Sequence, residues 1–269
     1  MKPVLPEERG GAAAVTSRHN PSVQHAVRLG ASRAYRRETG EFLAAGEKLL
    51  EEALQSGLQI TLLLTTRPSG TARTEGKALL IPQALMERIS PMEDAPDTLF
   101  CAAIPRLGTA DSVLASGSAL LLDCIQDPGN VGAILRSAEA FGAAGALLLP
   151  GCADVWSPKT LRASMGAAFR TPGVEVTWEE IPALLQTHAL PLAGTSLAAD
   201  ARDILDTGLP LSRCLLALGN EGRGLSERTL VLCEALVRIP MTGRTESLSV
   251  AQAAAVALWE MQKRRASPL

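Results

Sequence analysis

Three short stretches of the chain gather side chains able to hold a small polar ligand or to help move a proton. Residues 126–132 read Gln-Asp-Pro-Gly-Asn-Val-Gly and run into Ala-Ile-Leu-Arg-Ser-Ala at 133–138. Asn130 has the side chain of a helix N-cap, and Val131, Ile134, Leu135 and Ala138 fall on one apolar stripe. At about 100° per residue Arg136 points about 140° from Val131, so its guanidinium faces solvent, a ligand or another subunit. Residues 219–224, Gly-Asn-Glu-Gly-Arg-Gly, set Glu221 among three glycines after an apolar run. Glycine permits positive φ and close backbone approach, which serves a ligand lying on main chain and a plain tight turn equally. Residues 239–249, Ile-Pro-Met-Thr-Gly-Arg-Thr-Glu-Ser-Leu-Ser, lead into an amphipathic helix with Val250, Ala253, Ala254, Ala257, Leu258 and Met261 on one face. Ser249 and Gln252 have capping-box spacing, whose ordinary role is to satisfy backbone donors.

These stretches need a scaffold, and the apolar pattern supplies one. Continuous apolar runs at 119–124, 146–149, 191–195, 214–218 and 235–239 alternate with helical patterns, which predicts a parallel sheet covered on both faces. Ligands of such sheets sit at the carboxyl ends of the strands, where all three stretches fall. The amino-terminal part predicts a smaller α/β domain. It has a basic helix at about 20–35, a strand at 41–45, a helix at 47–56 and a strand at 58–66. A loop at 67–77 follows, then short strands at 78–81 and 98–104 flanking a short helix. The expected domains are a loose leader at 1–15, a first domain at 16–106, a linker at 107–118 and a second domain at 119–265.

Composition removes several classes of protein. With 46% hydrophobic and 20% charged residues, 28 acidic against 26 basic, the chain is an ordinary globular one. Nothing approaches the apolar length of a membrane span, and the first twenty residues carry Pro3, Pro6, Glu7 and Glu8 where a secretory signal would be apolar; a cytoplasmic protein is expected. Cys101, Cys124, Cys152, Cys214 and Cys233 are scattered without a C-x-x-C pair and read as free thiols. His19, His25 and His188 show no ligand spacing, so no metal is expected. The nucleotide fingerprints G-x-x-x-x-G-K-S/T and G-x-G-x-x-G are missing, as is the hydrolase G-x-S-x-G. Residues 16–48 carry six basic against three acidic side chains, which suits either a solvated helix face or a nucleic-acid surface. Aromatics are only 3%, so recognition of a nucleic acid would rest on Arg and Lys contacts to phosphate and not on base stacking.

In this order and spacing the three stretches resemble the SpoU (TrmH) family of RNA 2′-O-ribose methyltransferases, whose motifs have the forms N-x-G-x-x-x-R-S/T-A, L-G-x-E-x-x-G and I-P-M-x-G-x-x-x-S-L-N. Thr16-Ser17-Arg18-His19-Asn20-Pro21, Arg36-Arg37-Glu38, Phe42-Leu43-Ala44-Ala45-Gly46-Glu47 and Ser164-Met165-Gly166-Ala167 extend the resemblance over roughly 16–262. It implies a small L30e-like α/β RNA-binding domain and a parallel-sheet SPOUT domain with a deep trefoil knot. It further implies a homodimer, S-adenosyl-L-methionine as cofactor and ribosomal RNA, favoured over transfer RNA, as substrate. Carried onto matching positions, it places Thr195, Leu218, Gly219, Asn220, Ile239, Met241, Ser247 and Leu248 at the cofactor. Arg136, Asn130, Glu221, Ser247 and Ser249 fall at the catalytic centre, and Arg18, Arg33, Arg36 and Arg37 on the RNA surface. The family has Asn where this chain has Ser249, and a hydroxyl offers fewer hydrogen bonds than an amide. A catalytically silent RNA-binding or ribosome-assembly protein, a transfer-RNA ribose methyltransferase and a base methyltransferase of similar architecture are the alternatives.

Overall fold

A computed structural model describes residues 13–68, 74, 76–206, 208–244 and 247–266. The leader expected at 1–15 therefore lies outside the described residues except for its last three, and so do Thr245 and Glu246 of the third stretch and much of the 67–77 loop. The chain divides into two compact units between Ile104 and Pro105.

The first unit runs β1 (Ala13–Ala14), α1 (Pro21–Ala31), α2 (Arg33–Thr39), β2 (Glu41–Ala45), α3 (Glu47–Gln55), β3 (Ile60–Thr65), β4 (Lys77–Leu80), α4 (Gln83–Ile89) and β5 (Thr98–Ala103). Its sheet has the order β1-β4-β3-β5-β2, with β5 antiparallel to both neighbours. Val23, Ala26 and Leu29 of α1 pack on Leu43, Leu64 and Leu99. Two expectations change here. The leader's end forms strand β1, paired with β4. The single basic helix is broken at Ser32, whose extended backbone and side chain, accepting from Tyr35 N at 3.2 Å, start α2 afresh.

The second unit begins with α5 (Ala110–Ser116), where the sequence pattern predicts a linker. Thr109 caps it through a reciprocal bond pair with Ser112, and Val113 and Leu114 are buried in the unit's core. The Gly, Ser and Thr around that apolar pair hid a real helix. There follow β6 (Ala119–Leu122), α6 (Pro128–Ala140), β7 (Ala146–Leu148), α7 (Pro158–Ser164), β8 (Gly173–Glu175), α8 (Ile181–His188) and β9 (Leu192–Thr195). The unit closes with β10 (Arg202–Asp203), β11 (Leu215–Leu218), α9 (Glu227–Leu230), β12 (Ala235–Arg238) and α10 (Val250–Ala266).

The seven strands lie in the order β10-β12-β9-β11-β6-β7-β8, each parallel to its neighbours. Every residue of β6 and β11 is buried, as continuous leucine-rich runs between two helical layers require. The chain lays β7 and β8 on one side of β6 and the later strands on the other. Loops leaving β6 and β11 therefore diverge at adjacent carboxyl ends and open a crevice.

Candidate active site

Each expected loop is held by its own local chemistry. Asp127, and not Asn130, caps α6: its Oδ1 accepts from Asn130 N at 2.9 Å, and Pro128 takes the first helical position. That hydrogen bond, with Lys159 Nζ at 3.4 Å from Oδ2, keeps the Asp127 carboxyl below the usual carboxylate range. Freed from capping, the Asn130 side chain reaches across to donate to Glu221 Oε1. Gly132 is a packing residue, since a Cβ there would stand 2.3 Å from Thr160 O and 2.6 Å from the Ala163 Cβ, so it lets α7 press against α6.

The loop after β11 is a closed turn. Asn220 N and O bond Gly224 O and N at 3.0 and 2.8 Å, and Gly224 has φ of +69°. A Cβ on Gly219 would lie 2.2 Å from the Gly224 carbonyl carbon, so the turn closes this tightly only with glycine. From beneath, Asn220 Nδ2 donates to Cys124 O at 3.0 Å, and fully buried Asp123 accepts from Ser226 N at 2.8 Å. The residues following β6 thus grip both ends of the loop that presents Glu221. Asp123 is a support that the sequence pattern did not single out; its signal is a carboxylate directly after a strand of alanine and three leucines.

Between the loops after β9, β11 and β12 lies a cleft of about 410 Å³, within the range of small-molecule sites. Thr195, Gly219, Asn220, Glu221, Ile239, Met241, Ser247 and Leu248 all line it, together with Ile204, Leu225, Val237 and Arg223, which sequence reasoning had not assigned. Arg223, Leu225 and Val237 belong to the same loops and strand ends, whereas Ile204 follows β10 and is brought there by pairing of β10 with β12.

Four expected positions are not on the cleft. Leu218 is buried inside β11, with its carbonyl accepting from Asp123 N at 2.9 Å. Ser249 closes a capping box on α10: its N donates to Gln252 Oε1 at 3.1 Å, and its Oγ accepts from Gln252 N at 3.2 Å. Arg136 is exposed on α6, off the buried stripe of Val131, Ile134, Leu135 and Ala138, and does not line the cleft. Asn130 touches the cleft only through Glu221.

In the first unit Arg18 and Arg37 are exposed and Arg33 half-buried, but Arg36 is not a surface residue. It is 5% exposed, and its Nη1 donates to Leu29 O at 2.5 Å and Gly30 O at 3.5 Å, capping the end of α1. Arg28, 3.7 Å above the Tyr35 ring, is a surface cation that the expected set omitted.

Comparison with known proteins bears on both units. Residues 117–259 match the SpoU rRNA Methylase family, and residues 20–100 match the MRM3-like substrate binding domain. The 23S rRNA (uridine(2479)-2′-O)-methyltransferase of Streptomyces viridochromogenes is 32% identical over 97% of this chain and 96% of that protein. The 23S rRNA (guanosine(2553)-2′-O)-methyltransferase RlmP of Bacillus subtilis (strain 168) is 31% identical over 84% of this chain and 90% of its own. Among solved structures, the AdoMet-bound rRNA methyltransferase from Sinorhizobium meliloti superposes with a TM-score of 0.82 at 28% identity, covering 95% of this chain and 99% of that one.

Proposed function

The chain belongs to the SpoU rRNA methylase family, and from that membership we propose that it methylates a ribose 2′-hydroxyl of ribosomal RNA with S-adenosyl-L-methionine. The observation that carries the reading is the cleft, which joins the motif residues of the second and third loops at the carboxyl ends of parallel strands. Its donor set fits the cofactor. Apolar Ile204, Leu225 and Val237 suit an adenosine, while Ser247 and the Thr195 hydroxyl, which donates to Ala217 O at 3.1 Å and keeps its lone pairs, offer polar groups for the sugar and amino-acid tail. When bound, S-adenosyl-L-methionine supplies a sulfonium methyl that is already strongly electrophilic.

The residues then have to align a poor nucleophile and relieve it of one proton. Glu221 fixes the Asn130 amide, leaving that amide's second N–H and its oxygen to orient the ribose. Arg136 carries a guanidinium, a group that is not deprotonated in proteins and so is no base. Its roles are to hold an RNA phosphate and to stabilise the developing alkoxide. Glu221 is the carboxylate that the cleft offers as acceptor for the proton.

The working unit in this reading is a homodimer. Arg136 stands off its own chain's cleft, while α10, packed on α6, exposes Val256 and Trp259 at 41% and 57%. Residues from 239 onward are read as the threaded part of a deep trefoil knot, supported by Met241, Ser247, Leu248 and Val250 sharing one cleft with Thr195 and Gly219. RNA is assigned to the first unit, through Arg18, Arg28, Arg33 and Arg37. Five cysteines in the thiol form suit the cytoplasm as the place of action.

The test offers tritiated-methyl S-adenosyl-L-methionine with ribosomal and transfer RNA side by side, followed by nuclease digestion and mass analysis. Label in a 2′-O-methylnucleoside from ribosomal RNA is expected. Label on a base, or in transfer RNA alone, refutes the assignment.

A further inference from the structure

The last helix carries a charged pair on a face that is otherwise apolar. Val250, Ala254, Ala257, Leu258 and Met261 of α10 are buried, and among them lies Glu260, 8% exposed. A carboxylate at such a place needs a partner, and it has one a turn further on: Arg264 Nε donates to Glu260 Oε1 at 2.9 Å. The rest of that guanidinium is spent on main chain. Nη2 donates to Ile204 O at 2.6 Å, and Nη1 to Asp206 O and Leu209 O at 3.0 and 3.1 Å. One side chain therefore ties together three carbonyls of a single stretch of chain.

That stretch leads out of β10, an edge strand of two residues, and Ile204 itself lines the cleft. Ile204 is gripped on both sides: its N–H donates to Arg238 O at 2.9 Å, and its carbonyl is held by Arg264. Two ladder residues alone would leave this wall weakly fastened. The neighbouring Arg265 provides a contrast, because its guanidinium donates to Phe141 O and Gly142 O at the end of α6, both at 2.7 Å, and touches nothing at the cleft wall.

We propose that Arg264, oriented by Glu260, is a positioning residue for the cleft: from the far end of α10 it fixes the wall that Ile204 supplies and so sets cofactor affinity without touching the cofactor. The inference rests on reading the cleft as the S-adenosyl-L-methionine site. Lysine cannot substitute, since one ammonium cannot span three carbonyls and a carboxylate in the guanidinium's planar geometry.

The experiment is isothermal titration of S-adenosyl-L-methionine into the full chain and into Arg264→Ala, Arg264→Lys, Glu260→Gln and Arg265→Ala, with steady-state methyl transfer and melting curves on the same samples. Arg264→Ala is expected to raise Kd and the cofactor KM on the order of tenfold, the effect of about 1.4 kcal/mol, while kcat at saturating cofactor stays within a few-fold. Arg264→Lys should behave like the alanine variant, and millimolar guanidinium should recover part of the affinity of Arg264→Ala only. Glu260→Gln, the mildest change, should raise Kd a few-fold and carries the test if Arg264→Ala fails to fold. Arg265→Ala should melt earlier with Kd unmoved. A wild-type chain that binds no cofactor refutes the reading of the cleft, and the clasp falls with it. Wild-type binding with unchanged Kd in Arg264→Ala or, should that variant not fold, in Glu260→Gln refutes the clasp alone.

Discussion

Arg136 leaves α6 six residues beyond Asn130, on a different face of the helix, and no part of it lines the cleft. A group that meets the RNA and the developing charge but not the cofactor lowers turnover when removed and leaves cofactor binding alone. Arg136→Ala is therefore expected to cut kcat by ~10²–10³-fold, with the dissociation constant for S-adenosyl-L-methionine nearly unchanged by titration; unaltered turnover removes the assignment. Ser249 has the opposite profile. Its one hydroxyl proton is engaged by Gln252 Oε1 at 3.1 Å, so its work is to start α10. Ser249→Ala should lower unfolding stability by about 1 kcal/mol in a denaturant titration, with turnover changed less than for Arg136→Ala. Arg36 and Arg37 divide in the same manner. Reversing the charge of exposed Arg37 together with Arg18 should weaken RNA binding and flatten its salt dependence without moving the melting temperature. Arg36→Glu instead strips α1 of its cap and leaves a carboxylate against carbonyls, so it should unfold the first unit, seen as lost helical circular dichroism.

At the scale of elements, the contact between Asn130 and Glu221 depends on how α6 begins. Asp127 takes the capping role, which turns the Asn130 side chain toward Glu221. The Asp127 carboxyl is held below its ordinary range first by the Asn130 amide and then by Lys159. A group whose folded pKa lies below its unfolded value contributes stability above the unfolded pKa, and that contribution is lost as pH falls through the folded one. Wild-type stability should accordingly drop more steeply below about pH 4 than that of Asp127→Asn, which caps the helix without titrating. Parallel curves from acid-unfolding measurements would show that the cap does not titrate with folding. The short α5 makes a related point. A capping box of Thr109 with Ser112 and two buried apolar residues suffice for a helix when the sheet it packs on supplies the rest.

At the scale of the whole molecule, the parallel sheet holds the cleft, and α10, packed on α6, exposes Val256 and Trp259. Trp259, 57% exposed and edge-on to Phe141 at 6.0 Å, is the largest apolar group there. If a second copy covers this face and brings its Arg136 to the cleft, Trp259→Glu should produce a monomer by sedimentation and abolish methyl transfer together. A monomeric wild-type chain, or a monomeric variant with full activity, counts against the shared site.

Strand order, domain division and the cleft were not equally legible in the sequence. Apolar runs predicted β6, β7, β9, β11 and β12 to within two residues, most plainly β6, β7 and β11, where burial of every residue leaves an unbroken pattern. β1, β8 and β10, two or three residues each at or near sheet edges, left no such pattern. The family resemblance, and not spacing alone, placed Thr195, Gly219, Glu221, Ile239 and Ser247 at the expected site, and all five line the one cleft. Which side chain caps, which is buried and which stays free depends on neighbours distant in sequence. Carbonyls at the end of α1 took Arg36 out of solvent, Asp127 released Asn130, and the clasp of Arg264 on Ile204 spans sixty residues of chain that only the packed fold brings within a hydrogen bond.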